Sequence, residues 1–260
     1  MNSNDNLVLT HSLSLGTRLT RFLYNKNKIA HALTNSILSH DVDESLFWAF
    51  ELLCSGFETD VFHILGMIYS IHYESGNPKL LKYIHGVIDK WEQNTYPIEY
   101  VLIHIVLNLT CRECNPPTES PLKIHVPIEE LPKYLEKYAN VEPPAHVRPN
   151  KVLSVSCKYS LLVDDDDDVI IDEEAAVACY EKYISSNWLY YASKSPLWEK
   201  RIASYGGIIN DTTCMVSFTN EENEEKFYEK YDYEPDEQPI EIQEKCLGIK
   251  LSNILSRFAK

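Results

Sequence analysis

From residue 17 to residue 110, apolar side chains recur every third or fourth position, the spacing that lines one side of an α-helix. Leu19, Phe22, Leu23, Ile29, Ala30, Leu33, Ile37 and Leu38 predict one or two helices over 17–39, after a polar start. Asp41, Asp43 and Glu44 then supply the carboxylates that a helix N-terminus favours. Leu46, Phe47, Ala49, Phe50, Leu53 and Cys54 follow at helical spacing until Gly56 ends the run. Val61, Ile64, Leu65, Ile68 and His72 mark a third helix, closed by Gly76, and Pro78 suits the opening of a fourth with Leu80, Ile84, Val87, Ile88 and Trp91. Pro97 opens a fifth segment whose only polar members before Thr110 are Glu99, His104 and Asn108. A helix apolar on nearly every face belongs at the buried centre of a bundle. Five successive antiparallel helices with short connections describe a helical bundle or short helical array, without a repeat strict enough for a solenoid.

Prolines interrupt this pattern at Pro116, Pro117, Pro121 and Pro127, and a short helix around Pro132 is expected over 128–138. Pro143, Pro144 and Pro149 mark a linker or surface crossing. The expected division is therefore a helical bundle over 1–140, a proline-containing link over 141–160 and a smaller acidic α+β region over 161–260. In that last region 151–163 reads equally as strand or helix, and helices are expected over 173–183, 187–192, 196–205, 221–231 and 238–247. Gly207, Ile208 and Ile209, then Met215, Val216, Ser217 and Phe218 across Asn210, Asp211, Thr212 and Thr213, predict one β-hairpin near 207–219. The fold class that follows is mainly α.

Composition narrows the class. The 260 residues are 44% hydrophobic with only 8 Gly, the profile of an ordered globular chain. Seven cysteines, an odd number, and a start without a basic-then-apolar leader lead to the expectation of reduced thiols and an intracellular, cytoplasmic protein. The apolar run over 98–109 is too short to span a bilayer. The net charge of −15 divides unevenly, with −5 over residues 1–120, +2 over 121–160 and −12 over 161–260. Binding to duplex nucleic acid through phosphates wants a basic face, so direct duplex binding is not expected.

Candidate chemistry is sparse. Cys111 and Cys114 form a C-x-x-C that can grip zinc if two more ligands arrive, or are two unrelated thiols at a helix end. Asp164, Asp165, Asp166, Asp167 and Asp168 diverge too much for a calcium loop and read as a solvated charge run. No H-E-x-x-H, phosphate-cradling Gly-rich loop or G-x-S-x-G occurs, and no cofactor is implied. Trp48 shares a helix stripe with Glu44, Glu51 and Ser55, opposite the main apolar face. Either further helices cover that stripe, or Trp48 and Glu51 are offered to a protein partner. In the acidic region the 164–168 run and the Glu221, Glu222, Glu224 and Glu225 cluster would attract a basic partner, with Trp188, Tyr190, Tyr191 and Trp198 as its anchors.

The stretch from Asp43 to Gly56, DESLFWAFELLCSG, resembles a helix of an uncharacterised helical protein family of nucleocytoplasmic large DNA viruses, and Trp198 to Ile202 with Glu234 to Gln238 is a second point of resemblance. It implies a virus-encoded protein, a minor structural or assembly component acting in the host cytoplasm or carried in the virion. Leu46, Phe47, Trp48 and Ala49 are also similar to the helical collar of clamp-loader-type ATPases, whose ATP-binding module this chain lacks. The functional expectation is a non-enzymatic interaction or structural protein. The alternative is an accessory subunit of a viral transcription, replication or packaging machine, and a further one an enzyme of unfamiliar type.

Overall fold

A computed structural model describes residues 18–116, 124–140 and 188–231, and the fold is mainly helical with a two-stranded antiparallel hairpin. The chain divides into two compact units, one of residues 29–142 and one of residues 1–28 with 143–260.

The first unit takes up α1 (Lys26–Leu38), whose first turn holds the division point. It continues with α2 (Val42–Cys54), α3 (Glu58–Ile68), α4 (Leu80–Glu92), α5 (Ile98–Thr110) and a last short helix. Asp41 caps α2, its carboxylate accepting the Glu44 amide at 3.0 Å, as the acidic start leads one to expect. Gly56 leaves the helix at φ 85°, the left-handed conformation that glycine adopts without a Cβ penalty. α3 does not stop at Ile68 but widens into a π turn, Tyr69–Tyr73, closed by the Glu74 amide on the Tyr69 carbonyl at 3.0 Å. Pro78 lies in the turn before α4.

α5 is the buried centre that its composition predicts, with every residue from Tyr100 to Thr110 out of solvent. Its polar residues follow a rule that the periodicity did not disclose. Tyr100, His104 and Asn108 stand one turn apart on one face and hold the extended segment 124–127 by its backbone. Asn108 accepts the Ile124 amide at 3.1 Å and donates to the Ile124 carbonyl at 2.9 Å. His104 Nε2 accepts the Val126 amide at 3.1 Å, and the Tyr100 hydroxyl donates to the Val126 carbonyl at 2.7 Å. A segment without a strand partner thus finds its backbone bonds on a helix. It leads into a 3₁₀ turn (Ile128–Glu130), α6 (Leu131–Tyr134) and a π turn (Leu135–Ala139), so the helix expected over 128–138 is present in three geometries. Asp43 accepts bonds from both Tyr138 Oη and Lys137 Nζ, which ties this end to α2.

In the second unit, residues 18–25 form a tight loop rather than the helical turn that Leu19, Phe22 and Leu23 suggest. Leu19 and Asn25 bridge as antiparallel partners, and Leu23 sits at φ 66°. The Thr20 amide donates to the Tyr24 carbonyl at 2.9 Å. The sequence reading assigns these residues to the bundle; in the structure Leu19 and Leu23 pack with Trp188, Trp198, Ile202 and Phe227. α7 (Trp188–Ala192) and α8 (Pro196–Ser204) precede β1 (Gly207–Asn210) and β2 (Met215–Phe218), and α9 (Glu221–Tyr231) follows. The strands pair in register Gly207 with Phe218 through Asn210 with Met215, and Asn210 Oδ1 organises the loop by accepting the Thr212 and Thr213 amides at 2.9 and 3.1 Å. The expected hairpin is therefore formed, with Ile209, Val216 and Phe218 turned toward the aromatic cluster.

Candidate interaction site

α3 and α4 both lean on α5 and leave a groove of about 520 Å³ between them, with Ile105 among its lining residues. Leu65 and Tyr69 of α3 and its π turn face Ile84 and Ile88 of α4 across it. The Phe62 and Trp91 rings, stacked at 5.7 Å, bring the two helices together near one end. Near the other, the Tyr69 hydroxyl donates to the Asn77 and Pro78 carbonyls at 3.3 and 3.4 Å, which ties the π turn to the loop before α4. The sides stay open to solvent.

The π turn decides what the groove displays. In a regular α-helix Ile71 would stand at the edge of the buried face, between the buried Ile68 three residues before it and the exposed Met67 four before it. The wider turn rotates it outward, leaving Ile71 72% exposed beside Met67 at 43%. π turns inserted in α-helices recur at functional sites because they displace side chains in this way. Between Asp60 and Glu74 the sequence holds no Lys, Arg, Asp or Glu, in a chain that is 24% charged. The exposed face of this stretch is His63, Gly66, Met67, Ser70 and Ile71. Loss of charge together with a methionine and a protruding aliphatic is the composition of an interface centre. His63 on α3 and His85 on α4 are the histidines of the lining, and both are exposed.

The residues singled out from sequence lie elsewhere. Trp48 and Glu51 are both buried, so further packing covers their stripe of α2 and the partner-facing alternative is corrected. Trp188, Tyr190, Tyr191 and Trp198 are likewise core and not surface anchors. Trp198 is fully buried, its indole Nε1 donating to the Thr20 carbonyl at 2.9 Å, with Trp188 at 5.8 Å, Tyr231 at 5.7 Å and the Arg201 guanidinium 4.6 Å from its ring. Aromatics spaced along short amphipathic helices look alike to the sequence whether they serve a core or a surface. Glu221, Glu222, Glu224 and Glu225 are exposed on α9, with Glu222 bonded to Lys226 at 2.6 Å. The run Asp164, Asp165, Asp166, Asp167 and Asp168 lies outside the described residues, as do the segments expected to be ordered over 151–163, 173–183 and 238–247.

Cys111 caps the end of α5 and is exposed, while Cys114 is half-buried beside the Tyr73 hydroxyl. Although the residue is exposed, partial desolvation of its sulfur pushes the Cys111 thiol above its ordinary range, the opposite of what activates a thiolate. The loop that carries Cys114 is strapped to the end of α3, because Asn77 Nδ2 donates to the Glu113 carbonyl at 3.0 Å and a Cβ on Gly76 would lie 2.4 Å from the Cys114 carbonyl oxygen. Among the described residues no group of three or more His, Cys, Asp or Glu side chains assembles that could hold a metal ion. None of the described helices is long and apolar enough to cross a membrane.

Met67, Ile71 and Gly66 are the site residues that periodicity passed over. The signal available for them was the charge-free stretch over 61–73, too long for a single buried face of an ordinary surface helix. No family model matches this chain, and neither the curated proteins nor the solved structures contain a match to it. The fold is mainly helical with a small hairpin, and its helical unit carries an open apolar groove between α3 and α4.

Proposed function

We propose that the chain is a non-enzymatic interaction protein whose helical bundle receives a helix of a protein partner in the groove between α3 and α4. The observation that carries this reading is the open apolar groove with Ile71 projecting beside it. A small ligand gains its affinity where most of its surface is enclosed, whereas this groove is open along its sides. A helix suits such a surface, because it fills the slot with residues spaced three and four apart and covers the rims with its own flanks. On the resemblance carried by α2, the setting would be the assembly or the particle of a large DNA virus. A polymerase, replication or packaging partner is the alternative setting.

The test places a photoreactive p-benzoylphenylalanine at position 67 and, as a control, at the exposed Lys200 of α8. After irradiation in the native setting, crosslinked peptides are identified by mass spectrometry. The proposal expects position 67 to capture a helical peptide with apolar residues at three- and four-residue spacing. Equal labelling at both positions, with no preferred peptide, would overturn it.

A further inference from the structure

We infer that the occupant of the groove is the same face of α3 from a second copy of this chain, paired antiparallel about a two-fold axis. This rests on the groove being a docking surface, as proposed above, and names its partner. A two-fold interface joins one patch to itself, so the patch must carry both the protrusion and the recess that accepts it. Here both are present side by side. Ile71 and Met67 project from the helix that forms one wall, and the recess between that wall and α4 is apolar.

The spacing suits an axis near Gly66. Ile71 lies roughly 7 Å along the helix from Gly66 at the usual rise per residue. In a reversed second copy it therefore comes opposite residues 61 and 62, at the end of the groove lined by Phe62. At the crossing point Gly66 offers no side chain to hold the two backbones apart. Nothing in the chain itself requires that glycine, since a Cβ built there has no neighbour within 4 Å.

Charge favours this surface for self-pairing. A second copy brings the same net −15, and two such molecules associate only where like charges do not face one another. Residues 61–73 carry no Lys, Arg, Asp or Glu. Acids lie just beyond the stretch at Glu58, Asp60 and Glu74, and the exposed Glu58 and Glu74 come opposite one another across the antiparallel pair. Salt screens that repulsion, so the pair strengthens as ionic strength rises, whereas a complex held by opposite charges weakens.

The experiment is sedimentation equilibrium of the full chain over a wide concentration range at low and high salt, with three variants. Ile71→Glu, at an exposed position, should weaken the dimer on the order of tenfold or more. Gly66→Ala should weaken it several-fold while raising the melting temperature. Gly86→Ala, in α4 and off the groove lining, also has open space around its Cβ and should raise the melting temperature without changing association. A parent chain that stays monomeric throughout, or a dimer indifferent to Ile71→Glu and Gly66→Ala, overturns the inference. The photocrosslink at position 67 separates the two levels. Capture of a different protein's helix by a monomeric chain removes the self-pairing and leaves the groove reading intact, whereas no preferred capture removes both.

Discussion

His104 shows how one buried polar residue makes a fold depend on pH. Its Nε2 can accept the Val126 amide only while the ring is neutral; burial pushes its pKa below the ordinary value of 6.5, opposed in part by the bond that a protonated ring can give the Val126 carbonyl at 3.2 Å and helped by His125 and Lys90 nearby. The unfolded chain therefore takes up the proton first as pH falls. The contribution of His104 to stability is fully present above about pH 6.5 and is lost as pH drops through that value toward the lower folded one. Denaturant unfolding at pH 7.5 and pH 5.5 should show the parent losing stability over this interval. His104→Phe, which cannot titrate, should be less stable at pH 7.5 but have a shallower slope over the same range. An unchanged slope in the variant would assign the effect to other groups. Asn108 is the harsher loss, because Asn108→Leu leaves the Ile124 amide without its partner and the Ile124 carbonyl with only the longer bond from the Tyr83 hydroxyl at 3.4 Å. About 1–3 kcal/mol of destabilisation is expected by urea titration, on the usual cost of a buried unpaired group.

At the scale of the element, α2 and α3 show two ways for a helix to end. α2 is closed at both ends by local chemistry, Asp41 at its start and Gly56 after its last turn. Asp41→Ala should cost about 1 kcal/mol, the common value for a lost N-cap, and Asp41→Asn much less, since the amide oxygen still accepts the Glu44 amide. α3 instead runs on into a π turn, where the local sequence carries no stop until Gly76. Because Gly66 lies inside a helix with open space around it, Gly66→Ala should stabilise an isolated chain by roughly 0.5–1 kcal/mol. Thermal melts at low protein concentration, where any dimer has dissociated, are the measurement, and a lowered melting temperature would contradict the helix described here.

For the whole molecule, the decisive fact is that residues far apart in sequence share a core. Leu19 and Leu23 lie in the same cluster as Trp198 and Phe227, and the Thr20 carbonyl takes the indole hydrogen bond of Trp198. Leu23→Ala should therefore cost about 2–5 kcal/mol, as for other large-to-small changes in a core. The loss should be felt by residues 188–231. Hydrogen exchange offers the readout: faster exchange in α8 and β1, with α5 unchanged, is expected. If exchange rises in α5 and not in α8, the assignment of the N-terminal segment is wrong.

The sequence by itself determined those elements whose signals are local. The cap at Asp41, the stop at Gly56, the all-apolar run of α5 and the Asn210 turn of the hairpin each act within a few residues of where they are written, so α2, α5 and the β1–β2 pair were legible. Tertiary structure alone decided what depends on distant neighbours. Leu19, Phe22 and Leu23 have helical spacing yet belong to a loop, because bonds between Thr20 and Tyr24 and packing against Trp198 outweigh spacing. Trp48, Trp188, Tyr190, Tyr191 and Trp198 have the composition of a binding surface but are core, since burial is fixed by what covers a face and not by the face itself. Ile71 is the converse, an apolar residue at the edge of the buried stripe that a π turn carries further into solvent. The groove exists because α3 and α4 lie apart on α5, and a separation between helices is written in no single segment of the chain.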